Sequence, residues 1–153
     1  MIILGMQLSD LDQVMTIEKA SFPTPWKRSF FEYDLRRKGG YCFVAKENDE
    51  ILGYVNAWHI GDELHLANIA VAGKYRHQEI GSALLTKIIN IALENNCTRI
   101  FLEVRVSNTI GQKFYEKFGF TSFYLRKKYY PDGEDAIVYG KNIVLGFKTN
   151  QLK

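Results

Sequence analysis

Apolar residues recur at Leu11, Val14, Met15 and Ile17, a spacing that a helix turns to one side, so residues 9–22 are predicted to be helical. Ser9 is the expected N-cap with Asp12 at the capping-box position, and Pro23 ends the run. The next five residues, Phe22-Pro23-Thr24-Pro25-Trp26, cannot continue a helix because each proline forces its predecessor into extended backbone. They form an apolar loop ahead of a second helix at about 27–37. The period then changes. Residues 41–46 and 51–59 read as strands joined by the polar turn Glu47-Asn48-Asp49-Glu50, and 64–72 as a third strand. A polar loop at 73–78 leads into a long amphipathic helix carrying Leu84, Leu85, Ile88, Ile89 and Ala92. Residues 98–106 are apolar or β-branched apart from Arg99, Glu103 and Arg105, the pattern of an interior strand covered on both faces. Asn108 is expected to cap a shorter helix that stops at Gly119, and strands at 120–129 and 135–143 flank the turn Pro131-Asp132-Gly133-Glu134. With an N-terminal strand in 1–8, the order is β-α-α-β-β-β-α-β-α-β-β, an α/β (α+β layered) fold with a mixed central sheet flanked by helices.

A length of 153 residues is expected to make a single domain spanning 1–153. Hydrophobic residues make up 46% and charged residues 24%, and no apolar run is long enough to span a bilayer, so a membrane protein is not expected. The apolar start lacks a basic lead and a small-residue cleavage site, which argues against a signal peptide. Cys42 and Cys97 each sit in an apolar segment, which suits buried thiols in the cytoplasm better than a disulfide framework. A net charge of +3 is too mild to imply a nucleic-acid partner, and the basic runs Arg36-Arg37-Lys38 and Arg126-Lys127-Lys128 read as solvated faces. It does favour an anionic cofactor or an acidic peptide. The residues after Ile143 form a polar tail with one apolar patch and no assignable function.

The chemistry begins where Ile69-Ala70-Val71-Ala72-Gly73 runs through a loop into a helix start. The first amides of a helix have no partners inside it, and the macrodipole adds positive potential, so phosphate is bound there without specialised side chains. Neither GxGxxG nor GxxxxGK[ST] is present, which excludes the dinucleotide and P-loop versions of such a site. Glu103 lies in an apolar strand and can act as a base or pair with Arg99 or Arg105. His65 shares a strand face with Ala67, Ile69 and Val71, and can move protons or serve structure alone. Tyr115 follows Asn108 by two helical turns, so both can face one groove.

Arg76-His77-Gln78-Glu79-Ile80-Gly81 resembles the [QR]-x-x-G-x-[GA] acyl-CoA pyrophosphate motif of the GNAT superfamily of N-acetyltransferases. Leu102-Glu103-Val104-Arg105-Val106-Ser107-Asn108 and Phe114-Tyr115-Glu116-Lys117-Phe118-Gly119-Phe120 resemble its later motif. Ile17-Glu18-Lys19-Ala20-Ser21-Phe22-Pro23, with Pro25-Trp26, and Tyr129-Tyr130-Pro131-Asp132-Gly133-Glu134-Asp135-Ala136 are similar to the ribosomal-protein alanine branch and to archaeal N-terminal acetyltransferases. The resemblance covers about 1–143. One position departs from it: Glu79 stands where the motif has its first glycine. A carboxylate in a helix's first turn is favourable if it faces solvent, so Glu79 is expected to point outward and to weaken acetyl-CoA binding modestly.

The resemblance implies the GNAT acyl-CoA N-acyltransferase fold, acetyl-CoA as the donor with no metal, and protein N-termini, ribosomal or other abundant cytoplasmic proteins among them, as partners. By the same resemblance the backbone of Ile69, Ala70 and Val71 holds pantetheine and acetyl group. The amides of His77, Gln78, Glu79, Ile80, Gly81 and Ser82, with Arg76, hold the pyrophosphate, and Asn108 bonds the pantetheine arm. Glu103, shared with His65, is the implied base, and Tyr115 protonates the departing sulfur. Phe22, Pro23, Thr24, Trp26, Tyr129 and Tyr130 flank the acceptor. An α-amine has a pKa of about 8 against about 10.4 for lysine, so exposing its neutral form at pH 7 costs roughly 1.4 kcal/mol rather than roughly 4.6. A base of moderate strength therefore suffices. Two other readings share the CoA-binding features: an acetyltransferase for lysine or small amines, and a non-catalytic acetyl-CoA-binding module.

Overall fold

The apolar stripe beginning at Leu11 becomes helix α1 (Leu11–Ser21), with Leu11, Val14, Met15 and Ile17 buried. Its entry differs from the expected one. Ser9 lies inside a single 3₁₀ turn, Leu8–Asp10, and the cap falls one turn earlier, where the Gln7 N–H donates to Asp10 Oδ2 at 2.9 Å. After the proline loop comes α2 (Arg28–Arg36). The computed structural model describes residues 1–143; the C-terminal tail lies outside the described residues. Among those described, no helix is long and apolar enough to cross a membrane.

The described chain forms two compact units, Met1–His59 with Leu66–Asn90, and Ile60–His65 with Ile91 onward. In the first, strands β1 (Ile2–Gly5), β2 (Gly40–Glu47), β3 (Glu50–Ile60) and β4 (Glu63–Val71, from Leu66) lie in that order. The β1–β2 and β2–β3 pairs are antiparallel. Leu11, Val14, Phe31, Val44, Ile51, Tyr54 and Ala70 centre its core. Helix α3 (Ile80–Glu94) lays Ile80 and Leu84 against β3 at Gly53, where a Cβ would also meet the Ala70 carbonyl oxygen of β4 at 2.8 Å. Only glycine permits that approach.

In the second unit the start of β4 pairs in parallel with β5 (Arg99–Arg105) through Glu63↔Arg99, Leu64↔Ile100 and His65↔Phe101, and the ladder ends there. Strand β7 (Ala136–Asn142) runs antiparallel between β5 and β6 (Thr121–Arg126). Between β5 and β6 lies α4 (Thr109–Lys117), capped by Asn108, whose Oδ1 accepts the Gly111 N–H at 2.9 Å. Gly119 follows it with φ of +87°, the left-handed stop expected of it. Strand β5 is an interior strand with no exposed residue, as expected. Ile100, Leu102 and Val104 are buried on one face; on the other, Arg105 is buried and Arg99, Phe101 and Glu103 are partly buried. That second face is covered by polar and aromatic partners rather than by an apolar layer: His65 on Phe101 and Glu103, and Asp132 and Glu134 on Arg105.

Candidate active site

The turn from β4 into α3 places His77 and Glu79 at φ of +65° and +66°, on either side of Gln78. Such alternation turns successive amides toward a common concavity of the kind that holds anions. None of the amides of His77, Gln78, Glu79, Ile80, Gly81 and Ser82 donates to a protein acceptor among the described residues; the first bond of the helix comes from Ala83 to the Glu79 carbonyl at 3.0 Å. These unpaired donors fit a diphosphate. Glu79 is exposed, as expected, but stands one residue before α3 rather than in its first turn. Its backbone keeps the left-handed geometry that the motif's glycine would take without strain. Arg76 is exposed, and its Nε donates to the Val71 carbonyl at 3.1 Å.

On β4, Leu64, Leu66, Asn68 and Ala70 are buried, and His65, Ala67, Ile69 and Val71 share the other face. Where β4 meets β5, the His65 ring stacks on Phe101, centroids 4.6 Å apart, and its Nε2 lies 2.7 Å from Glu103 Oε1. Neither side chain is well hydrated, at 12% and 7% exposure. The Tyr129 hydroxyl donates to the same Glu103 oxygen at 3.4 Å. Burial, then the Glu103 charge, pushes the Tyr129 phenol above its usual range. Ion pairs of Glu103 with Arg99 or Arg105 are not what the strand makes: Arg99 meets Glu63 at 3.6 Å, and Arg105 meets Asp132 and Glu134. Tyr115 is buried, and its hydroxyl has no protein hydrogen-bond partner among the described residues. Burial, then the nearby Tyr130 phenol, pushes it well up, so it stays protonated at neutral pH. Asn108 uses Oδ1 as the helix cap, which leaves its Nδ2 as the polar atom a ligand can meet.

Two features were not legible as site elements. The Glu18 carboxylate is 1% exposed and accepts from the Tyr54 hydroxyl, from Asn68 Nδ2 at 2.7 Å and from the Trp26 N–H at 2.8 Å. It ties the proline loop to β3 and β4, and burial followed by its charge raises the Tyr54 phenol. The signal was present: Leu11, Val14, Met15 and Glu18 share one helical stripe, so a carboxylate sits on the apolar face. In the loop itself, Phe22 and Trp26 pack on the core while Pro23 and Pro25 are exposed and Thr24 is half-buried. The second feature is Arg105, whose Nη1 contacts both Asp132 oxygens at 3.0 and 2.8 Å and Glu134 Oε1 at 2.8 Å. Its guanidinium lies 4.1 Å from the centroid of Tyr130, which packs edge-on against Tyr129. Glu134 also accepts the Ser107 N–H at 2.9 Å, and Asp135 the Lys128 N–H at 2.8 Å, so these acids hold the turn.

Free amides at a helix start suit a phosphorylated carrier, and a carboxylate–imidazole pair with phenols suits proton transfer. Each feature, within its own unit, is compatible with a transferase that takes an activated group from such a carrier. Residues 11–120 match the Acetyltransferase (GNAT) family, and the chain belongs to it. It is 34% identical over 142 residues to an N-alpha-acetyltransferase of Sulfolobus acidocaldarius, covering 84% of each chain. It is 32% identical over 138 residues to the ribosomal protein bS18-alanine N-acetyltransferase of Escherichia coli K12, covering 88% of this chain and 92% of that one. The crystal structure of the Escherichia coli ribosomal-protein alanine N-acetyltransferase superimposes with a TM-score of 0.84 at 31% identity, over 93% of both chains.

Proposed function

We propose that this GNAT enzyme transfers the acetyl group of acetyl-CoA to the N-terminal α-amine of protein substrates in the cytoplasm, ribosomal proteins among them. The observation that carries this reading is the Glu103–His65 contact of 2.7 Å in a poorly hydrated setting, reached also by Tyr129. Similarity to enzymes named for N-terminal and ribosomal-protein alanine acetylation supports the choice of acceptor.

Acetyl-CoA, when bound, supplies an acyl group activated as a thioester. The amides of His77 to Ser82 would hold its diphosphate, and the backbone of Ile69 to Val71 would hold the pantetheine and acetyl end. Asn108 Nδ2 serves the pantetheine arm. Glu103 takes the proton from the incoming ammonium, directly or through a water, and His65 shares that proton across their hydrogen bond. Tyr115 donates its hydroxyl proton to the leaving sulfur. An amide N–H of β4 would stabilise charge as it develops on the acyl oxygen. Phe22, Pro23, Thr24 and Trp26 shape the pocket for the first residue, and the hydroxyls of Tyr129 and Tyr130 hold the acceptor backbone.

Short peptides with free and with chemically blocked N-termini, each carrying lysine, test the acceptor. The free set is expected to be acetylated at the N-terminus and the blocked set left unmodified. Acetylation of the blocked set alone establishes a lysine acetyltransferase instead, and binding of acetyl-CoA without turnover on any peptide establishes a non-catalytic module.

A further inference from the structure

We propose that Arg105 is a positioning residue for the acceptor: it fixes the 127–135 segment, and with it Tyr129 and Tyr130, beside the Glu103 end of β5. The inference rests on the α-amine acetyltransferase reading above.

Arg105 follows Glu103 by two residues on β5, so both project from one face of the strand. The segment it holds has little regular structure of its own, yet its polar groups are consumed internally. Asp132 and Glu134 converge on one guanidinium nitrogen within 3.0 Å, and the Tyr130 N–H and the Gly133 N–H donate to the Glu134 and Tyr130 carbonyls at 3.1 and 2.8 Å. The second Glu134 oxygen binds the Ser107 N–H, which fastens the segment to the residues leaving β5. Tyr130 lies flat beneath the guanidinium, and Tyr129, packed edge-on against it, reaches Glu103. A chain of direct contacts thus runs from Arg105 through Tyr130 and Tyr129 to the proposed base.

Global stability is a poor explanation for this arrangement. Arg105 is 8% exposed, and burying a cation carries a desolvation cost that an apolar side chain would avoid, while Asp132 is 41% exposed and its ion pair is screened by water. What arginine alone supplies is geometry: a planar cation that binds two carboxylates and stacks on a ring at once. A lysine keeps the charge and loses the shape.

The test is steady-state kinetics of the full-length enzyme on a free N-terminal peptide, with Arg105→Gln, Arg105→Lys, Asp132→Asn and the double variant Arg105→Gln/Asp132→Asn. Hydrogen exchange of the 127–135 segment is read in parallel. Arg105→Gln is expected to raise the peptide KM about tenfold or more while the acetyl-CoA KM stays within about twofold, and Arg105→Lys to recover part of that loss. The double variant is expected to lose no more than Arg105→Gln alone, because both changes break the same contact. Exchange is expected to quicken in 127–135 and nowhere else. An unchanged peptide KM overturns the proposal, as does a parallel rise in both KM values with faster exchange throughout the chain. If the wild type acetylates no peptide N-terminus, the functional reading fails, and hydrogen exchange still decides whether Arg105 orders this segment.

Discussion

Glu103 carries the account at the scale of single residues. Its position was visible as an acid in an apolar strand; its partner His65 was implied by the resemblance alone, because Arg99 and Arg105 are nearer in sequence while His65 is 38 residues away and is brought in by the parallel ladder. Glu103→Gln keeps the shape and removes the proton acceptor. It is expected to lower kcat by about 10²- to 10⁴-fold with acetyl-CoA affinity unchanged, which stopped-flow turnover and calorimetric titration would measure together. Retained kcat would remove Glu103 from the proposed mechanism. Glu79 is a different case: the missing glycine was plain in the sequence, but the +66° backbone that makes it matter was not. Glu79→Gly relieves a left-handed side chain and removes a carboxylate near the proposed diphosphate site. A gain of about 0.5–1 kcal/mol, seen as a melting midpoint higher by about 1–4 °C, is expected with tighter acetyl-CoA binding. A lower midpoint would show that the side chain makes a contact the enzyme needs.

Among the elements, α1 shows how a helix serves a loop. Its apolar stripe was legible, but the role of Glu18 was not, because three donors from separate segments meet it only in the fold. Glu18→Ala leaves the Tyr54 hydroxyl, the Asn68 amide and the Trp26 N–H unpaired in the core. A loss of about 3–5 kcal/mol in urea denaturation is expected. A loss below about 1 kcal/mol would show that these donors find other acceptors. The β6–β7 turn was likewise legible as Pro131-Asp132-Gly133-Glu134, whereas the clamp that orders it needed β5 beside it. Hydrogen bonds from Ser107 and then Arg105 hold the Glu134 carboxyl below its usual range. A depressed carboxyl contributes stability above its unfolded value of about 4.3 and loses it as pH falls through its folded value. Hydrogen exchange in 127–135 should therefore quicken selectively below about pH 4. Exchange that stays flat through that range would show the carboxyl does not hold the turn.

For the whole molecule, the order of elements followed directly from the sequence, since the period of apolar residues separates helix from strand along most of the chain. Strand β5 shows the limit: periodicity reports which faces are apolar, and the charged residues on its second face are covered by His65, Asp132 and Glu134, which no local pattern reveals. What no local pattern contains is the pairing of distant segments, which is why the strand–turn–helix of the proposed diphosphate site was legible and the residues around Glu103 were only partly so. The central claim is that the turn entering α3 receives the carrier. A crystal structure with coenzyme A tests it most directly: the diphosphate is expected on the amides of His77 to Ser82, and a well-ordered nucleotide bound elsewhere, with those amides facing solvent, would contradict the account.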